Sequence, residues 1–241
     1  MKDILRDILK YTSTYDMIKI ISTEDETIVQ GCDDAAIYIL HAKLKNVCAD
    51  MNGVWGLSQL DTLKNLLDFT SYNTENAKFE IKSGVYKDTP MIEQFVFSDE
   101  NGGSSTFRCM NPDRVKAQPE IRSIPWEFKF TPDASKVAEF TKLASIYKDM
   151  AKVFSVSSDN GELKFAFGED TSSMHYAVMN FASGCAGKIT GLPTFNTAQF
   201  LNLLRLPNQM PRVYVSNRGI IGVEIETDFA TYMFYLRVCP R

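Results

Sequence analysis

Apolar positions along the chain recur with two periods, one near 3.6 residues and one of two. The longer period predicts four helices. Over residues 1–11 it places Ile4, Leu5, Ile8 and Leu9 on one side; over 58–69 it does the same for Leu60, Leu63, Leu66 and Leu67, with Ser58 as the N-cap. A third stripe, over 132–150, carries Val137, Phe140, Ala144 and Tyr147, with Thr131 as cap and Pro132 in the first turn. The fourth, over 196–206, carries Phe200, Leu201, Leu203 and Leu204 behind a capping Asn196 and stops before Pro207. The shorter period predicts strands at 17–23, 27–31, 36–43, 78–82, 92–97 and 105–109, then at 127–130, 152–157, 163–167, 176–181, 212–216, 220–226 and 232–238. Asp159-Asn160-Gly161 and Asn217-Arg218-Gly219 supply hairpin turns between flanking strands.

The predicted helices start about 60 residues apart within each half, and the halves are offset by about 130, the mark of an internal duplication of a helix-plus-sheet unit. Residues 111–123 hold Pro112 and Pro119, several charges and little apolar periodicity, and read as a connector between domains at 1–110 and 124–241. The expected class is α+β, with the two domains topologically similar.

Composition narrows the possibilities. The chain has 241 residues, 44% of them hydrophobic and 23% charged, which describes a protein with a well-formed core, neither disordered nor fibrous. No apolar run approaches a membrane span, and the acids in MKDILRDILK argue against a signal peptide there. Five cysteines (Cys32, Cys48, Cys109, Cys185 and Cys239) without a CxxC pair predict reduced thiols rather than a disulfide framework or zinc site. The net charge of −4 is unevenly spread, with thirteen Lys and Arg against nineteen Asp and Glu in 1–120 and thirteen against eleven beyond. Any contact with a polyanion must therefore use a local face.

Catalytic constellations are absent from the sequence. His41 and His175 sit in strand-like patterns, and no phosphate loop, HExxH helix or GxSxG elbow occurs. Asp33-Asp34 after Gly31 reads as a turn, and Glu24-Asp25-Glu26 as a hairpin tip. No catalytic residue, metal ligand or cofactor is expected, and the chain is not expected to be an enzyme. The helices are more informative. Lys2, Arg6 and Lys10 recur every four residues and form one ridge; Gln199, Asn202 and Arg205 line a polar face of the fourth helix. Lys136 and Lys142 project from the third, with Lys148 near its end, and Lys64 from the second between Asp61 and Asp68.

Taken in order, these elements resemble the DNA polymerase sliding clamps, most closely the trimeric clamps of myovirus-type bacteriophages and more distantly proliferating cell nuclear antigen. Three segments carry the likeness: Lys152 to Phe167 (KVFSVSSDNGELKFAF) resembles the paired strands after the second domain's first helix, Asp50 to Leu57 (DMNGVWGL) the approach to the first domain's second helix, and Gly219 to Ile225 with Tyr232 to Leu236 the closing hairpin. The missing strand before the first helix is also the phage pattern. The resemblance implies a six-domain ring made as a homotrimer, with antiparallel sheets outside, helices on one face lining the hole, and neighbours joined edge to edge. It further implies a processivity factor that encircles double-stranded DNA without reading its sequence and tethers the replicative DNA polymerase. A clamp loader ATPase would place it on DNA in the cytoplasm of an infected bacterial host, with no membrane involved. The DNA-facing residues would be Lys2, Arg6, Lys10, Lys64, Lys136, Lys142 and Arg205. A client-peptide pocket would use Ile39, Val115, Ile220 and Tyr235, and the subunit interface would use Phe107, Arg108, Tyr176 and Val178 on strands 105–109 and 176–181. Two other classes compete with this reading. A β-rich ring or tube subunit of a virion would share the duplication but not the basic lumen, and the third class is a small-molecule-binding β-barrel protein.

Overall fold

Each apolar stripe becomes the buried side of a helix, and each alternating run a strand with one face in the core. The structure is a computed structural model that describes residues 1–168, 175–184, 187–206 and 211–239; Cys185 and Pro207 lie outside those residues. The chain divides into two compact units. The first comprises Met1–Asp34, Ile39–Gln118 and Thr227–Tyr232, and the second Ala35–Tyr38, Pro119–Glu226 and Met233–Arg241.

The first unit contains, in order, α1 (Lys2–Thr12), β1 (Met17–Ser22), β2 (Thr27–Cys32), β3 (Tyr38–Leu44), β4 (Gly53–Ser58), α2 (Leu60–Asp68), β5 (Lys78–Tyr86), β6 (Thr89–Ser98) and β7 (Ser104–Arg108). The second contains β8 (Phe128–Phe130), α3 (Ala134–Tyr147), β9 (Val153–Asp159), β10 (Glu162–Gly168), β11 (Tyr176–Ala182), β12 (Thr194–Asn196), α4 (Thr197–Leu204), β13 (Arg212–Ser216) and β14 (Ile220–Glu226). β15 (Ala230–Arg237) closes the chain, its first three residues clustering with the first unit and the rest with the second.

The topology is a duplication. Strand order β4-β1-β2-β3 in the first unit is repeated as β12-β9-β10-β11 in the second, and β5-β6-β7 as β13-β14-β15. α1 and α2 correspond to α3 and α4. β8 pairs with β13 just ahead of α3, and among the described residues nothing matches it ahead of α1. The pairings for which register is resolved are antiparallel, which bears out the α+β class.

The two cores differ in chemistry. The first mixes aliphatic helix faces with aromatic rings: Leu5, Ile8 and Leu9 of α1 and Leu63 and Leu67 of α2 are buried, as are Ile18, Ile20, Trp55, Phe95 and Phe97. The second is a phenylalanine cluster in which the Phe140 ring meets Phe154, Phe165, Phe167, Phe181 and Phe200 at centroid distances of 5.1 to 5.8 Å. α3 packs on β10 and β11 through this cluster.

Local differences from the sequence expectation have physical causes. Ser58 closes β4 and does not cap α2; Gln59 takes the N-cap position in a left-handed conformation (φ 51°) without a side-chain cap bond. α3 starts two residues beyond Pro132, with Asp133 at its N-cap. Asn196 does cap α4, its Oδ1 accepting from the Gln199 N–H at 3.0 Å. β4 falls in a glycine-rich stretch that offers no alternation. A side chain at Gly53 would run into the Pro90 carbonyl oxygen, and one at Gly56 would meet Val115 Cγ2 at 2.5 Å. His41 lies in β3 as expected, but His175 is exposed and just outside β11.

Candidate nucleic-acid interface

The basic ridge of α1 is largely consumed inside its own unit. Arg6 donates from Nη1 to Asp3 (2.9 Å), from Nη2 to the Leu67 carbonyl (2.6 Å) and Asn73 Oδ1 (2.7 Å), and from Nε to Asp68 (3.3 Å). Leu67 and Asp68 form the C-terminus of α2, where a cation satisfies orphan carbonyls and meets the negative end of the helix dipole. Lys2 donates from Nζ to the Tyr72 carbonyl at 2.5 Å. Burial, then the neighbouring Arg6 charge, push its ammonium below the ordinary lysine range, against a smaller upward pull from Asp3. Of the three α1 cations expected to face DNA, Lys2 and Arg6 are thus engaged inside their own unit. Lys2 and Arg6 fasten α1 to α2 and to the turn after it, because two helices packed side by side leave a carbonyl-rich helix end within reach. Lys10 makes no ion pair among the described residues, and its Nζ lies 5.4 Å from the Tyr11 ring centre.

The remaining cations divide the same way. Lys136 is paired to Glu139 at 2.8 Å, one helical turn on. Lys64, Lys142 and Arg205 are exposed and make no ion pair among the described residues. Asp68, which the sequence sets beside Lys64, is engaged by Arg6 instead. Lys148 and Lys152, at the end of α3 and just after it, are also exposed and make no ion pair among the described residues. Lys148 is visible in the sequence as a charge near the helix end, but Lys152 is hidden there because it reads as the first residue of a strand. Lys148, Lys152 and Arg205 line one cleft with Thr141, Ala144, Ser145, Thr197, Ala198 and Leu201.

Six strands end a sheet among the described residues, β4, β5, β7, β8, β11 and β12, and β7 and β11 are the two that the expected subunit interface uses. β7 is hydrogen-bonded only to β6 and β11 only to β10 among the described residues. On β11, Tyr176 and Val178 are 42% and 47% exposed while Met179 and Phe181 are buried, so the strand carries apolar surface on both faces. On β7, Phe107 is buried against Phe95 and Arg108 is exposed. The duplication makes β11 the counterpart of β3 and β7 the counterpart of β15.

The apolar positions assigned to a client pocket fall in both units. In the first, Ile39 (3% exposed) is buried in β3, and Val115 (7%) is buried over Gly56, where the chain pairs with Met110. Both are core positions with almost no exposed surface. In the second, Ile220 and Tyr235 are half-buried. Trp126, missed in the sequence, lies beside Tyr214 (5.4 Å between ring centres) and against Gly222, two residues from Ile220. Its signal is its place directly after the connector. Burial, with a smaller push from Glu224, raises the Tyr235 phenol above the usual tyrosine range.

A duplicated α+β unit, each copy with two helices and antiparallel sheets, defines the fold class of the sliding clamps. Among solved structures, the chain is similar to an A. fulgidus PCNA bound to the C-terminal region of FEN-1, with a TM-score of 0.67, 10% identity and coverage of 100% of this chain and 97% of that one. It is also similar to a PCNA2–PCNA3 complex from Sulfolobus tokodaii, with a TM-score of 0.63, 12% identity and coverage of 98% and 96%. The PCNA-like fold therefore extends over the whole chain. No protein-family model and no curated protein matches the sequence.

Proposed function

We propose that this protein is a DNA sliding clamp of the bacteriophage type, a non-enzymatic processivity factor that closes as a homotrimer around duplex DNA and tethers a replicative polymerase. The observation that carries the reading is a pair of sheet-ending strands, β7 in the first unit and β11 in the second, each hydrogen-bonded on one side only among the described residues. Pairing β7 of one copy with β11 of the next is a heterologous contact, which forms a ring when the rotation closes. Edge pairing also disposes of exposed sheet edges that would otherwise aggregate. Two domains per chain and six per ring give three copies.

A closed ring holds DNA topologically, so its contacts to phosphate are non-specific and individually weak; Lys10, Lys64, Lys142 and Arg205 are the cations suited to that task. Ile220 and Tyr235, with Trp126 beside them, are the surface for an apolar anchor of a client peptide. A loader ATPase opens the ring, in the cytoplasm of a bacterial host.

The test combines assembly with topology. Mass photometry at micromolar concentration is expected to show a trimer, and Val178→Lys on β11 to shift it to monomer without lowering the thermal midpoint. Loaded protein should remain on nicked circular duplex and slide off once the circle is linearised. A wild-type chain that stays monomeric, or equal retention on circle and linear DNA, rejects the clamp.

A further inference from the structure

The cleft between α3 and α4 has a composition that simple attraction to DNA does not require. It encloses about 480 Å³ and lies wholly in the second unit, a volume in the range of small-ligand sites. Its floor is apolar and short-chained, made by Ala144, Ala198 and Leu201. Its rim holds Lys148, Lys152 and Arg205, none of which has an acidic partner among the described residues. Three cations without acidic partners around one concavity make a local concentration of positive charge, suited to an anion, in a chain of net charge −4.

The start of a helix lies at the same place. α4 begins at the cleft wall, with Asn196, Thr197 and Ala198 all lining it, so the positive end of an eight-residue helix faces the space. The Thr197 N–H is held by the Lys152 carbonyl at 3.0 Å, which locks the start of α4 to the segment carrying two of the cations. Thr197 is 6% exposed, and its hydroxyl has no hydrogen-bond partner among the described residues. A buried hydroxyl left unsatisfied costs stability that a ligand oxygen or a bridging water can recover.

We propose that this cleft is a nucleotide-binding site, in which the phosphate meets Lys148, Lys152 and Arg205 and the sugar and base lie on Ala144, Ala198 and Leu201. The apolar floor distinguishes this from diffuse attraction to a polyanion, which needs no concavity, and the multiple cations distinguish it from an aliphatic ligand site. The nucleotide is either free or one unit of a strand. The inference does not depend on ring closure, because every residue it uses belongs to one unit of one chain.

The full-length chain, labelled for methyl and amide NMR, would be titrated separately with deoxythymidine 5′-monophosphate, inorganic phosphate, a thymidine octamer and an octaglutamate peptide. The monophosphate is expected to give saturable shifts at Ala144, Ala198 and Leu201. Lys148→Ala/Lys152→Ala should weaken it at least tenfold, and Ala198→Leu should block it while inorganic phosphate still shifts the rim residues. All of these positions except Ala144 and Leu201 are exposed, so the variants should keep the wild-type thermal midpoint. Octamer binding much tighter than the monophosphate assigns the site to a strand, and equal binding assigns it to free nucleotide. The proposal is overturned if inorganic phosphate or octaglutamate binds as well as the monophosphate, or if the floor residues never shift. A monomeric chain that still binds the monophosphate would reject the ring and leave this site standing; a trimer that does not bind it would do the reverse.

Discussion

Arg6 illustrates how a charge can be legible in the sequence and its work illegible. Its four-residue spacing from Lys2 and Lys10 is a real feature of α1, yet its guanidinium closes the C-terminus of α2 and holds Asn73 in place. Asn73 itself donates to the Leu67 and Phe69 carbonyls, so the two side chains share one task. Removing Arg6 leaves the Leu67 carbonyl to Asn73 alone, takes the donor from the Asn73 amide oxygen and leaves two carboxylates uncompensated. Arg6→Ala should therefore destabilise the protein by about 1–2 kcal/mol, taking the side chain's 33% exposure as a reason to stay near the low end for charged hydrogen bonds. Lys142→Ala, at an exposed position with no ion pair among the described residues, should change stability by no more than about 0.5 kcal/mol. Urea unfolding of the two variants checks the contrast. Equal effects would mean that Arg6 contributes no more than a surface charge.

At the scale of elements, periodicity locates all four helices and most strands because burial of one face dominates their sequence. The stripe Leu5, Ile8, Leu9 and the cluster around Phe140 are readable for that reason. β4 is not, since its glycines answer to Pro90 and Val115, which are distant in sequence. The same limit applies to Val115, which looks like connector surface until Gly56 is seen beneath it. The β5–β6 hairpin shows a further long-range device. Its tip turns through Lys87 and Asp88, both at positive φ, and Lys87 Nζ and Tyr86 OH both donate to Asp113 in the turn after β7. Hydrogen bonding to Lys87 and then Tyr86 holds the Asp113 carboxyl below its ordinary 3.8, and hydrogen bonding to Asp113 holds Lys87 above its ordinary 10.5. A lowered carboxyl pKa stabilises the fold above the unfolded value and loses that contribution as acid protonates it; a raised ammonium pKa stabilises below the unfolded value and loses it in alkali. The tie should therefore hold through the neutral range and loosen at both extremes. Amide exchange at residues 86–89 and 112–114 is expected to be flat near neutrality and to speed up, beyond its intrinsic pH dependence, below about pH 4. Asp113→Asn should show the faster exchange at pH 7 and remove the acid dependence. An unchanged profile would mean that the tip is held by its backbone pairing alone.

For the whole molecule, the proposed ring turns two helices from each unit toward the enclosed space. The cations on those helices fall into two groups that the sequence could not separate, since separation depends on partners far along the chain. Lys2, Arg6 and Lys136 are engaged within the chain, whereas Lys10, Lys64, Lys142 and Arg205 make no ion pair among the described residues. Reversing Lys2, Arg6 and Lys10 together would confound folding with DNA binding, because two of the three hold α1 to its surroundings. The decisive comparison reverses Lys10, Lys64, Lys142 and Arg205 to glutamate. If these side chains face the enclosed duplex, trimer assembly and thermal midpoint should stay as in the wild type, while polymerase stimulation falls at least tenfold. Each cation withdrawn from a phosphate should also reduce the slope of log affinity against log salt by about 0.9, so the four together should flatten it by about 3 to 4. A variant that assembles, stimulates polymerase and keeps the wild-type salt slope would show that DNA passes these helices without touching them. The ring would then have to hold its track by topology alone.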